Sequence, residues 1–247
     1  TQGDTHPGPA QEERYQYNKK MKNLGIGRYM KVAVLFSGGK DSSLTALLLE
    51  PFFEEIELVN FSFGHDDSWM RAKEAARELG YPLRRMVFDA DVLERALKIL
   101  QSTGYPNDAL NYVHPIAVET VAKECEFVAD GTRRDDRAPK MDFGAIRSLE
   151  DRLHVQYLRP LAGLGGKAIR AMASRYLDFE EELSEKHPAS DFEVGLRYAL
   201  KERHGQMEVD RIFPSNHTHT RVIRRKRFVQ EIKGQEDQAC QSIQSES

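Results

Sequence analysis

Hydrophobic positions along the chain fall into two alternating patterns. Short, nearly continuous apolar runs at 32–36, 56–63, 83–88, 127–129 and 155–158 read as strands buried on both faces. Between them, apolar residues recur at helical spacing over 42–50, 66–79, 90–101, 108–123 and 143–153. Asp66, Asp67 and Ser68 offer capping acceptors at the start of the second helix, and Gly80 with Pro82 ends it. This alternation predicts a three-layer, Rossmann-like α/β fold with a parallel sheet in the order 3-2-1-4-5. A ligand then belongs at the carboxyl ends of the strands, near the switch point.

Beyond Pro160 the pattern changes. A glycine-rich connection at 163–167 leads into helices around 168–176 and 191–203, separated by Pro188. Segments 209–213 and 221–228 read as short extended pieces with hairpin character, and the acidic run 180–185 reads as helical. The expected organisation is a flexible arm at 1–29, an α/β domain at 30–165, a small, mainly helical and basic C-terminal region at 166–230, and a disordered tail at 231–247.

Composition narrows the class. The chain has 247 residues, 40% of them hydrophobic and 30% charged, enough for one α/β domain with an appendage. A formal net charge of -3 gives no global attraction to nucleic acid, so any basic surface must be local. Cys125 and Cys240 are the two cysteines, far apart and without a Cys-x-x-Cys pair, which excludes a zinc ribbon and a disulfide framework. No apolar run is long enough to cross a bilayer, so the expected location is the cytoplasm.

The most informative residues are Ser37-Gly38-Gly39-Lys40-Asp41-Ser42-Ser43, set between the first strand and the first helix. Two glycines let backbone approach an anion, a helix opens with unpaired N–H groups, and Lys40 with the serine hydroxyls adds charge-assisted bonds. The spacing does not fit the Gly-x-x-x-x-Gly-Lys-Ser/Thr phosphate loop. Ser-Gly-Gly-Lys-Asp-Ser after a first strand instead resembles the PP-loop of the ATP pyrophosphatase, or adenine nucleotide alpha hydrolase, superfamily, and matches its pattern at all six positions. The resemblance spans about 31–161.

In that superfamily, the resemblance implies, the loop holds the β,γ-pyrophosphate of ATP with magnesium. A substrate oxygen attacks the α-phosphorus, and a second nucleophile displaces AMP. The implied ATP-binding set is Ser37 to Ser43, with Gly131 and Thr132 after the fourth strand and Phe61, Ser62 and Phe63 at the end of the second. Lys40, Asp41 and Asp130 are the expected catalytic residues, and Asp41 and Asp135 the expected contacts to magnesium, with Asp136 nearby. Arg133, Arg134, Lys140 and Lys167 are candidates for phosphate or substrate. A solvated charged loop at 130–140 and an aromatic core role for Phe61 and Phe63 are the competing readings, and His65 only caps or packs.

Three weaker signals remain. Arg159-Pro160-Leu161 resembles a turn of several tRNA-modifying members, with Arg170 a further basic side chain beyond it. His217 and His219 have metal-ligand character but lack further ligands. Arg221, Arg224, Arg225, Lys226 and Arg227 interleave with apolar residues, as in an RNA grip or a charged surface strand. Cys125 is expected to pack as a small apolar residue.

Among branches of the superfamily, the absent cysteine motifs weigh against 7-cyano-7-deazaguanine synthases and two-thiouridine-type thiolases. Diphthamide synthases are expected to carry a Pro-Leu-Trp-Gly, whereas the single tryptophan here is Trp69. Asparagine synthetases need an amino-terminal cysteine domain. A stand-alone asparagine-synthetase-like member or a lysidine-synthetase-like tRNA ligase fits better. The expected partners are ATP, an acceptor with tRNA as the candidate, and a second copy of the chain. A nucleotide-binding module without chemistry is the competing class.

Overall fold

The computed structural model describes residues 29–183, 190–213 and 218–226. Most of the arm at 1–29, the tail at 231–247, and His217, Arg227 and Cys240 lie outside the described residues.

Strands β1 (Lys31–Leu35), β2 (Glu55–Ser62), β3 (Leu83–Val87), β4 (Phe127–Ala129) and β5 (Gln156–Leu158) form one sheet in the order β3-β2-β1-β4-β5. Every pair is parallel, with Val34 opposite both Leu58 and Ala129 at the centre. The connecting helices are α1 (Lys40–Leu49), α2 (Trp69–Leu79), α3 (Ala90–Thr103), α4 (Pro106–Ala122) and α5 (Phe143–Leu153). The Rossmann-like topology read from the sequence is therefore the one observed.

Period-2 alternation divides the apolar residues between two layers. Ala33, Leu35, Val59 and Phe61 face the core shared with Val92, Val113 and Leu149, whereas Val32, Val34, Ile56 and Leu58 face Leu44, Ala72 and Ile169. Helix α1 is covered nearly all round and buries Lys40, Ser42, Ser43 and Thr45 with its leucines. A helix so enclosed retains polar residues only where they are bonded or serve a site.

The C-terminal elements are α6 (Gly166–Tyr176), β6 (Leu177–Leu183), α7 (Phe192–His204), α8 (Gln206–Ile212) and β7 (Thr218–Arg225). They pack into the same two cores, through Ile169, Leu177 and Val222 on one side and Leu196, Leu200 and Val209 on the other. Two local expectations are corrected. Residues 209–213 fall mostly within α8, where Val209 and Ile212 lie on one buried helical face. β7 pairs antiparallel with β6, so the acidic segment read as helical is strand through Leu183. The alternating acids of β6 stand opposite the basic residues of β7, Asp178 against Arg224 and Glu180 against Arg221, a cross-strand complementarity that outweighs helix propensity.

No helix among the described residues is long and apolar enough to cross a membrane.

Candidate functional site

β1 ends at Leu35, and the chain turns through Ser37, Gly38 and Gly39 into α1. Gly38 takes φ +78°, a left-handed conformation that side chains disfavour, and a Cβ there would also press on the Ala72 backbone at 3.1 Å. Gly39 is the N-cap and offers no side-chain cap, so the first turn of α1 presents backbone N–H groups. The Ser42 hydroxyl bonds back to the Gly39 carbonyl at 3.2 Å and accepts from the Ser37 amide at 3.4 Å, which ties the loop to the helix. Ser43 is fully buried inside the helix, behind the loop.

Gly131, just beyond β4, presses against this turn. A Cβ on it would lie 2.8 Å from the Ser42 nitrogen and 2.9 Å from the Asp41 carbonyl carbon. Only glycine lets the β4 end and the α1 N-terminus approach so closely. The contact falls between β1 and β4, the neighbours at which the sheet order reverses direction and where α/β crevices form.

A cavity of about 250 Å³ opens at this point. Ser37, Asp41 and Ser42 line one side, Gly131, Thr132 and Asp136 another, Asn60 and Phe61 the β2 side, and His114 of α4 with Asp191 and Glu193 close it. Eight expected residues therefore meet around one space, Ser37, Asp41, Ser42, Phe61, Asp130, Gly131, Thr132 and Asp136, whereas Gly38, Gly39, Lys40, Ser43 and Asp135 do not line it. Phe63 and Ser62 are buried away from it. Phe61 and Phe63 both pack on Phe88, with ring centroids 4.8 Å and 5.0 Å away, so their main contacts are aromatic core contacts.

The charges are ordered. Lys40 is buried and its Nζ lies 2.9 Å from Asp41 Oδ1. Arg133 forks onto Asp136, with Nε and Nη2 at 2.8 Å and 2.6 Å from Oδ1, and its Nε stands 3.6 Å from both Asp41 and Asp135. Asp135 accepts the Gly166 amide at 2.9 Å at the start of α6, and that bond, followed by the nearby arginines, holds its carboxyl below the usual range. Asp41 and Asp135 thus flank the Arg133 guanidinium. Among the described residues no three His, Cys, Asp or Glu side chains form a metal cage.

Asp130 is 3% exposed and saturated with donors. Its Oδ1 accepts the Thr132 amide at 3.0 Å; its Oδ2 accepts the Thr132 hydroxyl at 2.8 Å and the Tyr157 hydroxyl, and lies 2.8 Å from His114 Nε2. Burial alone would push this carboxyl up, but His114, Tyr157 and the Thr132 amide together outweigh it and hold it below its ordinary value. Tyr157 moves the opposite way, well above the usual tyrosine range, first through burial and then through the Asp130 charge.

Other expected residues stand apart. Arg134 reaches the Gly163 carbonyl at 3.5 Å, and Lys140 and Lys167 are exposed. Arg159 donates to the Met141 carbonyl at 3.2 Å, and Arg170 pairs with Glu181. The basic strand is neutralised within the chain: Arg221 with Glu74, Arg224 and Lys226 with Asp178, and Arg225 with Glu50. His219 lies 3.4 Å from Asp191. Cys125 is partly buried, and burial raises its thiol.

Sequence reasoning missed His114, Asn60, Tyr157 and Thr220. The spacing of Leu110, His114 and Val118 places a histidine on the apolar face of α4, which was a usable signal. Thr220, which accepts the Lys40 amide from 180 positions away, has no local signal.

The fold and this loop define an α/β protein whose first helix opens onto a crevice at the switch point. The chain belongs to the family of unknown function DUF7411, whose pattern it matches over residues 30–224. It is 40% identical over 202 residues to the uncharacterized protein MJ0690 of Methanocaldococcus jannaschii, a match spanning 82% of this chain and 100% of the relative. It superposes on a crystal structure described as a predicted subunit of tRNA methyltransferase from Methanocaldococcus jannaschii, with a TM-score of 0.73 and 40% identity, over 80% of this chain and 98% of that one. An NH3-dependent NAD synthetase from Campylobacter jejuni is too remote to carry an argument, with 18% identity and a TM-score of 0.43 over 67% of this chain and 71% of its own.

Proposed function

We propose that this chain is an AMP-forming, ATP-dependent adenylating enzyme of the PP-loop type. It activates a carbonyl or carboxyl oxygen, on RNA in our reading, for attack by a nitrogen nucleophile. The observation that carries the proposal is the turn from β1 into α1, whose Ser37, Asp41 and Ser42 line the switch-point cavity with the Gly131 backbone wedged against them.

The residues present fit the substrate. The first turn of α1 beyond Lys40 and the hydroxyls of Ser37 and Ser42 suit a pyrophosphate, Lys40 Nζ is held next to them on Asp41, and Phe61, Leu35 and Phe192 give the cavity apolar walls for a base. The acceptor oxygen attacks the α-phosphorus, pyrophosphate departs with its electron pair, and the loop stabilises the charge of the leaving group. Asp41, Asp130, Asp136, Asp191 and Glu193 line the cavity, each beside a lysine, arginine or histidine, so a divalent cation would add the positive charge that a polyphosphate needs there. Magnesium suits this donor set, since it needs one or two carboxylates plus phosphate oxygens, and Asp41 is the residue to hold it. It would supply neutralisation of phosphate charge.

RNA as acceptor is supported by the similarity to the Methanocaldococcus jannaschii protein described as a predicted subunit of tRNA methyltransferase. A nucleotide-binding module without chemistry is a second reading, favoured by one contact: Lys40 Nζ, the cation expected to act on the leaving group, is already paired with Asp41 Oδ1 at 2.9 Å. Release of pyrophosphate and AMP from MgATP, with and without unfractionated tRNA and ammonium, separates the two. AMP formation that rises with tRNA supports the enzyme. ATP binding with no release under any of these conditions supports the module.

A further inference from the structure

His114 is 4% exposed, and its ring lines the cavity opposite the loop serines. Its Nε2 is 2.8 Å from Asp130 Oδ2 and 3.0 Å from the Tyr157 hydroxyl. Asp130 is held rigid in turn, by two bonds from Thr132 and by its own amide, which donates to the Leu158 carbonyl at 3.2 Å. A carboxylate surrounded by donors accepts; it does not give a proton to the ring. Nε2 therefore carries an N–H, and in the neutral ring the lone pair lies on Nδ1.

Nδ1 has no hydrogen-bond partner among the described residues, and the ring it belongs to lines the cavity. A core histidine with a purely packing role buries or satisfies both nitrogens. Here one nitrogen is locked by a carboxylate, and the other, unbonded among the described residues, belongs to a ring that shares a small cavity with Ser37 and Ser42. This is the arrangement of a general base oriented by an acid.

We propose that His114 is the catalytic base for the nitrogen nucleophile, with Asp130 as its positioning residue. The role rests on the adenylating reading above. After adenylation, the nucleophile's lone pair forms the new bond to carbon, the bond from that carbon to the AMP oxygen breaks, and AMP leaves with the electron pair. The proton released by the nitrogen passes to His114 Nδ1, and the resulting imidazolium is stabilised by the Asp130 carboxylate. The nucleophile class is an ammonia or amine nitrogen with a proton to lose.

The test compares the unaltered protein with His114→Ala, His114→Gln and Asp130→Asn. MgATP, unfractionated tRNA and ammonium chloride are the probes. MgATP affinity comes from calorimetry, adenylation from ATP–pyrophosphate exchange, and transfer from ammonium-dependent AMP release. His114→Ala is expected to lower AMP release roughly 10²- to 10⁴-fold more than it lowers exchange. Added imidazole should restore part of the loss in His114→Ala. It should restore none in Asp130→Asn, where the ring remains but its tautomer is no longer fixed. His114→Gln, which keeps a donor for Asp130, separates loss of the base from loss of packing.

Equal losses of exchange and release, failure of imidazole to rescue, or undiminished release in both His114 variants would each overturn the role. If the unaltered protein shows neither exchange nor release, the adenylating reading falls, and the base falls with it. Exchange and release in the unaltered protein with indifference to His114 would remove only the base.

Discussion

The Lys40 amide donates to the Thr220 hydroxyl at 3.0 Å, joining the first turn of α1 to a strand 180 residues later in the chain. Around this bond β7 lies on the loop: the Val222 amide donates to the Gly38 carbonyl at 3.3 Å, and the Thr220 carbonyl sits 3.3 Å from where a Gly39 Cβ would stand. The Thr220 oxygen thus occupies an amide that an anion at the loop would also use.

Two opposite effects follow for Thr220→Ala. Loss of a helix-capping acceptor should lower stability by about 1 kcal/mol in denaturant unfolding. Loss of an internal competitor should tighten MgATP or pyrophosphate binding up to about tenfold, since 1.4 kcal/mol corresponds to that factor. Calorimetric titration of both proteins decides the matter, and weaker binding in the variant would show that Thr220 supports the loop without competing for it.

Much of this architecture was readable because its determinants are local. The apolar runs at 32–36 and 127–129 need only count residues to declare buried parallel strands, and Ser37 to Ser42 carry their geometry in two glycines. What escaped was set by distant chain. Residues 209–213 are as apolar as a short strand, yet they lie within and just beyond α8 because Val209 and Ile212 face a core built by α3, α4 and α7. The acids of β6 become strand because the basic β7 lies beside them. His114 is one residue of an amphipathic helix, and only the fold brings Asp130, just beyond β4, and Tyr157 of β5 to its ring.

Gly131→Ala should be costlier than a change at a glycine with open space around it. The added methyl meets backbone atoms of Asp41 and Ser42 at 2.8–3.1 Å, and neither α1 nor β4 can retreat from the core. Overpacking of this kind costs roughly 1–3 kcal/mol and should displace the loop, weakening MgATP binding as well. Gly80→Ala is the control: φ is +80° but nothing lies within 4 Å of the new methyl, so only backbone strain of about 1 kcal/mol is expected, with binding intact. Equal destabilisation of the two variants would show that the close approach is not tight.

The lowered Asp130 carboxyl makes a pH prediction with a definite sign. A carboxyl whose folded pKa lies below its unfolded one stabilises the fold above the unfolded value, and that stability is lost as pH falls through the folded value. Tyr157→Phe removes one of the donors that keep Asp130 ionised while burial, which raises it, persists. The folded pKa of Asp130 should rise, and acid unfolding followed by circular dichroism should begin at a higher pH than in the unaltered protein. An unchanged acid transition would mean that His114 and Thr132 hold the charge without Tyr157.

Asp41 separates binding of the nucleotide from the integrity of the fold. It lies at the second position of α1, its Oδ1 beside Lys40 Nζ at 2.9 Å and its Oδ2 3.6 Å from Arg133. Asp41→Asn keeps the shape but leaves the buried Lys40 ammonium beside a neutral amide, so stability should fall by roughly 1–3 kcal/mol without loss of the fold. Lower negative charge at the loop should leave metal-free pyrophosphate binding equal or tighter. Binding of MgATP should weaken, because a carboxylate for the cation has gone. Titrating both ligands into both proteins therefore yields changes of opposite sign. Parallel weakening of the two would remove Asp41 from the metal's side of the site and return it to the ion-pair chain of Lys40 and Arg133.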